Sequence, residues 1–401
     1  MQKHTQIHGF TKFKLIFILA LMSSIAPFST DMYLPALTHI KQSFQTNSFL
    51  TQLSIASFFI AFSIGQLIYG PLSDIYGRKI PALTGMFIFI ISSLLCALID
   101  NIYIFIALRF FQALGGCAGV VIARAIVNDL FEIKEATGIF ALMIVFVSLA
   151  PMLAPSFGGF LLKYFSWHSI FITLFILGIL VFLMIFFSFK ESKSYFINQK
   201  FSYYSTIKNY KLVLNDKQFL TYILCASLAL AAMFAYITGS SFVFTQFFNL
   251  NEQKFALFFG INALGFIICA NINTRLIYYF KNEKILAKAL IIMFISSIIL
   301  LINAFFYPHF LLFEISIFTS IAMLGFIAPN TTTLAMARFK KHSGTASATL
   351  GTVQFAFAGL ISFIVGIANA NTPVMLAFIM CTCILMANMI YFLNKFKILK
   401  E

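Results

Sequence analysis

The chain has 401 residues, of which 61% are hydrophobic and 10% charged, with a formal net charge of +15. Soluble domains carry roughly 25% charged residues, so a chain this apolar has too little polar surface to face water, and its solvent is expected to be lipid. That excludes a soluble enzyme or binding module. The distribution of the basic residues argues against nucleic acid as the partner.

A membrane-spanning helix needs about 20 mostly apolar residues. Twelve such runs follow in order: about 15–36, 50–72, 80–99, 102–125, 136–162, 168–189, 218–240, 255–277, 285–306, 310–332, 345–368 and 373–394. The basic N-terminal stretch before Leu15 imitates a signal peptide, but no convincing cleavage pattern follows, and the run reads as an uncleaved first helix. The longest polar interruption, 190–217, carries six lysines and divides the chain into a 1–189 half and a 218–401 half. The predicted fold is therefore all-α and polytopic, with two pseudo-symmetric six-helix halves related by an axis along the membrane normal. Of the 27 Lys and Arg residues, 23 fall on the side of the termini and the central linker. This asymmetry places both termini in the cytoplasm. The six cysteines all lie in apolar runs, so no disulfide framework is implied.

Within the spans, ionisable residues are the informative ones. A charge at the bilayer centre costs about 2.5–3.5 kcal/mol on insertion scales and faces a cavity or a partner. Asp31 lies in Ser29-Thr30-Asp31-Met32-Tyr33-Leu34-Pro35, near the outer part of the first helix; Pro35 would end that helix if Asp31 were an interfacial helix-end residue. Burial disfavours the ionised carboxylate, which suits a group that binds and releases a proton. At the outer interface Asp31 would instead be a helix-end residue. Arg109, within the fourth helix, stays charged and must face water or an acceptor, with Gln112 one turn further on the same face. Glu314, early in the tenth helix, is expected near the outer face.

The turn Gly70-Pro71-Leu72-Ser73-Asp74-Ile75-Tyr76-Gly77-Arg78-Lys79 joins the second and third helices. Gly70 and Gly77 permit close approach or a left-handed turn, and Asp74 and Arg78 share a helical face. The place in the second half that matches this loop, Asn273-Thr274-Arg275-Leu276, lacks the Asp and the glycines. The fifth helix holds Ala150-Pro151-Met152-Leu153-Ala154-Pro155-Ser156-Phe157-Gly158-Gly159, two backbone-breaking prolines and a glycine pair.

These motifs resemble those of the major facilitator superfamily, and the Ser29–Leu37, Leu149–Pro155, Arg124–Phe131 and Gly344–Ala348 runs resemble its Bcr/CflA-type drug:proton antiporters. The resemblance implies a proton-coupled exporter of a small organic compound, not an enzyme and without a cofactor, in a bacterial inner membrane. A self-made metabolite, such as a siderophore or amino acid, is the alternative cargo. The resemblance assigns proton coupling to Asp31 and Arg109. It makes Gly70, Asp74, Gly77, Arg78 and Asp129 a cytoplasmic latch: Asp129 pairs with Arg78, and Asp74 faces the start of the eleventh helix. It makes Pro151, Pro155, Gly158 and Gly159 a hinge. Tyr33, Gln112, Phe234, Tyr236, Asn262 and Gln354 are candidate substrate contacts. The implied partners are the substrate, protons and the bilayer, and a monomer suffices. No metal cluster, nucleophile triad, phosphate loop or ATPase motif stands in the sequence.

Overall fold

A computed structural model describes residues 10–131, 139, 143, 150, 153–189, 191, 210–306, 308–339, 343–368 and 372–398. Among these residues the regular structure is helical throughout. Eleven helices among the described residues are long and apolar enough to cross a membrane. The expected fifth span lies partly outside the described residues, Pro151 with it; its second part, 153–164, is helical and is called α6 here.

The first span is longer than its sequence suggested. Helix α1 (Phe10–Asp31) ends at Asp31, a short 3-10 turn covers Leu34–Ala36, and α2 (Leu37–Ser43) continues the crossing. Pro35 therefore does not end the span. Its ring fixes φ and removes an N–H, which breaks the α-helical ladder but suits the start of a new helical segment. Met32 N still bonds Phe28 O at 3.1 Å, Ala36 N bonds Tyr33 O at 2.9 Å, and the ladder between them is interrupted. Residues Met32–Leu37 are all buried. Irregular backbone at membrane depth is tolerated only when protein surrounds it. Asp31 therefore lies within this apolar helical stretch, 12 positions before its end at Ser43.

The remaining helices are α3 (Ser48–Ile75), α4 (Lys79–Leu98), α5 (Ile102–Leu130), α7 (His168–Ser188), α8 (Lys217–Phe242), α9 (Glu252–Leu276), α10 (Asn282–Phe306), α11 (Phe310–Met336), α12 (Ser343–Ile367) and α13 (Pro373–Ile398). Many large apolar side chains on them stand exposed, among them Phe87, Phe187, Ile295 and Phe378. Such surfaces suit hydrocarbon, where backbone groups must be satisfied within each helix.

The chain forms two compact units: Met1–Ala36 with Ser57–Phe201, and Leu37–Ala56 with Ser202–Glu401. In the first, α4 packs on α5 and α7, and α1 packs on α5 and α7. Gly158 of α6 meets the break in α1: a Cβ there would collide with Met32 O. Only glycine lets the two backbones approach so closely.

In the second unit, α8 is the central helix, touching α11, α12 and α13. At the end carrying its N-terminus, Val213, Phe219, Ile223, Ala335, Phe339 and Ala346 form a closed apolar cluster, with Phe219 edge-on to Phe339 at 5.0 Å. At the other end this unit includes α2 and the first turns of α3. His39 is hydrogen-bonded to Glu252 at 3.1 Å, Gln52 Nε2 donates to Thr238 O at 3.4 Å, and Phe49 packs on Phe363.

Candidate functional site

The break in α1 leaves helix-terminal carbonyls that need donors. Arg109, wholly buried in α5, supplies one: its Nη1 donates to Ser29 O at 3.1 Å. The same Nη1 donates to Gln112 Oε1, and Gln112 Nε2 donates to Ser93 Oγ at 2.8 Å. The guanidinium lies over the rings of Tyr33 at 4.3 Å and Phe58 at 4.5 Å. A cation is favoured here twice, by the negative end of the α1 dipole and by the faces of two aromatic rings.

Asp31 is 4% exposed and accepts from Thr30 Oγ1 at 3.1 Å. It and Arg109 flank the same helix end without an ion pair between them: Arg109 holds neutral acceptors, and Asp31 holds a hydroxyl. The structure thus brings Asp31, Tyr33, Arg109 and Gln112 to the break in α1, with Gly158 against its backbone. Pro155 and Gly159 of α6 are buried as well.

A second constellation closes one end of the first unit. Gly77 takes φ +79° and turns the chain between α3 and α4. Gly70 differs: it lies within α3, where a Cβ would meet nothing within 4 Å, so neither close approach nor a turn requires glycine there. Arg78, 7% exposed, makes four side-chain hydrogen bonds to three residues. Its Nε donates to Asp129 Oδ2 at 2.7 Å and its Nη2 to Asp129 Oδ1 at 3.3 Å. Nη1 donates to Asp74 Oδ1 at 3.0 Å and to Ser73 Oγ at 2.7 Å. Burial works against the charge on this guanidinium, but the bonds and charges of Asp129 and Asp74 outweigh it and strengthen its hold on the proton.

Glu191 completes this loop and was not singled out by the sequence. Its carboxylate accepts from Arg78 N at 2.8 Å and Lys79 N at 3.0 Å, capping the open N-terminus of α4. Lys79 Nζ in turn donates to Phe186 O near the end of α7 at 2.9 Å.

In the second unit, Tyr236 and Asn262 come together, and they meet Glu314. Asn262 Nδ2 donates to Tyr236 Oη at 3.0 Å and to Glu314 Oε1 at 2.9 Å. Glu314 is 4% exposed and so faces the interior of the unit. Phe310, the first residue of α11, packs against Phe258, six positions into α9, at 4.9 Å, so Glu314 lies level with Asn262, ten positions into α9. Phe234 packs instead on Phe355 at 5.8 Å, and Gln354 is half-buried. At the end carrying the apolar cluster, Arg338 Nε donates to Asp216 Oδ1 and Nη2 to Oδ2, at 2.9 and 2.7 Å, while Asp216 also caps α8 by accepting from Phe219 N. That pair was not anticipated either.

Among the described residues the regular structure is helical in membrane-length segments, with buried charges gathered around a broken helix, which is the construction of a polytopic membrane protein. Residues 19–363 match the Major Facilitator Superfamily, and the chain belongs to that family. It is 34% identical over 386 residues to the uncharacterized MFS-type transporter YdgK of Bacillus subtilis (strain 168), covering 96% of each chain. It is 28% identical to a bicyclomycin resistance protein homolog of Haemophilus influenzae, over 95% of this chain and 96% of that one. Identity to the multidrug resistance protein MdtL of Escherichia coli O157:H7 is 24%, over 89% of each. Among solved structures, the fold matches a D-xylose–proton symporter with a TM-score of 0.77 at 13% identity, covering 94% of this chain and 97% of that one. A bacterial homolog of the human lysosomal transporter Spinster, in an inward-facing occupied conformation, gives 0.77 at 14% identity, covering 98% and 99%.

Proposed function

We propose that this transporter is a proton-coupled exporter of a small organic compound, working by alternating access in a bacterial cytoplasmic membrane. Both termini lie in the cytoplasm, the two six-helix halves act as the moving parts, and a monomer is sufficient. The observation that carries this reading is the arrangement at the break in α1. Asp31 is buried beside one hydroxyl, and Arg109 is anchored to the neutral carbonyl of Ser29, two residues away.

A carboxylate so placed is tolerated as the neutral acid. Once it ionises, it competes with Ser29 O and Gln112 for the nearby guanidinium, because a charged acceptor holds Arg more strongly than a neutral one. Proton loss therefore pulls Arg109 across the helix end, and proton gain releases it. The break supplies a backbone that can respond, and Gly158 lets α6 follow it closely. The Arg78 cluster orders the turn that carries Asp74, and this turn acts as the cytoplasmic latch of one state of the cycle. The names of the bicyclomycin-resistance and multidrug-resistance relatives support outward movement of a drug-like compound.

The test uses inverted membrane vesicles with an imposed pH gradient and a fluorescent pH probe. Amphenicols, fluoroquinolones, bicyclic antibiotics, lipophilic cations and siderophores are added in turn. Gradient dissipation by one compound is expected, and its loss in Asp31→Asn. Full proton-dependent transport by Asp31→Asn would remove Asp31 from the cycle. Silence across the drug panel with a response to a siderophore would move the cargo to a metabolite.

A further inference from the structure

The second unit contains a buried carboxyl that the cycle above does not use. Glu314 stands on α11, level with Asn262 of α9 and Tyr236 of α8. Ten residues of helix, about 15 Å, separate Asn262 from the start of α9. Glu314 Oε1 accepts from Asn262, which also donates to Tyr236. Glu314 Oε2 and Asn262 Oδ1 have no hydrogen-bond partner among the described residues.

The helices packed against α11 bring no cation to this point. The span Ala289–Phe306 of α10 and the whole of α12 carry no titratable side chain. On α9, Glu252, Lys254 and Arg275 lie at the two ends and Cys269 lies two turns beyond Asn262. On α8, Lys217, Tyr222 and Cys225 lie three turns or more away, leaving the phenol of Tyr236 as the facing group. That ring stacks on Phe259 at 5.4 Å and meets Phe244 edge-on at 6.3 Å. An ionised carboxylate with one amide donor and no cation is costly in such surroundings.

The chemistry of Asn262 resolves the problem for both protonation states. A primary amide carries two donors on one side and an acceptor on the other, at nearly equal reach. With Nδ2 inward it donates to the carboxylate and the phenol oxygen. A half-turn of the amide puts Oδ1 inward, where it accepts from a protonated Glu314 and from the phenol O–H. The same three side chains are thus matched to two states that differ by one proton.

We propose that Glu314, Asn262 and Tyr236 form a second proton-binding site, separate from Asp31 and lying in the second unit. A proton adds to a carboxylate oxygen of Glu314 to give the acid, Asn262 turns, and the reverse step returns the proton to water. The transport role of this site rests on the proton-coupled reading above; its existence as a proton site does not.

The test is infrared difference spectroscopy on the full-length protein in lipid, titrated with acid and base alone. Glutamate carrying a ¹³C-labelled carboxyl separates Glu bands from Asp bands without any substitution. We expect a protonated-carboxyl stretch that shifts with the glutamate label, titrates between about pH 5 and 9, and vanishes in Glu314→Gln. Asn262→Leu, which removes both the donor and the acceptor, should move its midpoint by one pH unit or more, a tenfold change in proton affinity. A labelled band that stays constant over that range, or no protonated glutamate at all, would overturn the proposal. So would an unchanged midpoint in Asn262→Leu. The readout needs no substrate, so a titrating Glu314 in a chain inactive in vesicles would sink the export reading and leave this site standing.

Discussion

Replacing Gly77 by Ala tests the reading of the loop between α3 and α4. Two costs are predicted. The left-handed φ of +79° costs an L-residue about 1–2 kcal/mol. The new Cβ would also stand 2.6 Å from Glu191 Oε2, so the carboxylate must leave the position from which it accepts Arg78 N and Lys79 N. A hydrogen bond to a charged acceptor is worth about 1.5–3 kcal/mol when buried, and the partial exposure of this cap argues for the lower end. The sum is roughly 3 kcal/mol or more. Gly70→Ala is the control: it adds a Cβ inside a helix with open space around it, and should be neutral or stabilise by about 0.5–1 kcal/mol. Thermal unfolding of the purified protein can be followed with a thiol-reactive fluorophore, because Cys96, Cys117, Cys225 and Cys383 are buried and react only when the structure opens. The decisive arm is the double variant. Glu191→Ala loses the cap but also the clash, so Gly77→Ala with Glu191→Ala should be no less stable than Gly77→Ala alone, well short of additivity. Simple addition of the two effects, or equal losses from Gly70→Ala and Gly77→Ala, would refute the assignment of Glu191 as the cap that Gly77 makes room for.

Arg109→Lys keeps the charge but loses the planar fork and its stacking on Tyr33 and Phe58. Losing one buried charge-assisted bond costs about 1.5–3 kcal/mol, so vesicle transport should fall about tenfold or more, and wild-type rates in the lysine variant would show that charge alone suffices. In the second unit, Asp216 is pulled up by partial burial but held lower overall by Arg338 and the N–H of Phe219. Its contribution to stability is therefore complete above the unfolded Asp value near 3.9 and is lost as pH falls through the lower folded value. Because Arg338 is 39% exposed on its side chain, the contribution is about 1 kcal/mol after solvent screening. Asp216→Asn should lower the unfolding temperature slightly at pH 7 and flatten its decline below about pH 4, which a pH series of melts will detect.

The spans were legible because lipid imposes a length and a composition on every crossing, and the Gly70–Lys79 loop was legible because its residues are contiguous. What sequence reading missed depends on chain segments meeting. Glu191 caps a helix that begins 112 residues earlier, and nothing local to it marks a cap. Asp216 and Arg338 are likewise 122 residues apart. Glu314 carried a signal, as any carboxylate within a span does. Its partners could not be read from α11 alone, because Asn262 and Tyr236 come from α9 and α8. Pro35 is ambiguous for a related reason: a proline that ends one helical segment also suits the start of the next, and only the helical continuation to Ser43 distinguishes the two.

The placement of Leu37–Ala56 bears on how this chain can be divided. A cut in the 190–217 linker yields two pieces, yet the piece ending at 189 carries α2 and the start of α3, whose side chains find their partners in the other piece. His39, Phe49 and Gln52 would be left facing lipid or water without Glu252, Phe363 and Thr238. Fragments made at that linker are therefore not self-sufficient modules. Co-expressed, they carry their own docking element, a helical hairpin of 20 residues from one fragment with a ready seat on the other. A chimera that exchanges sequence halves between relatives must match this hairpin to the recipient, or exchange it along with the second half.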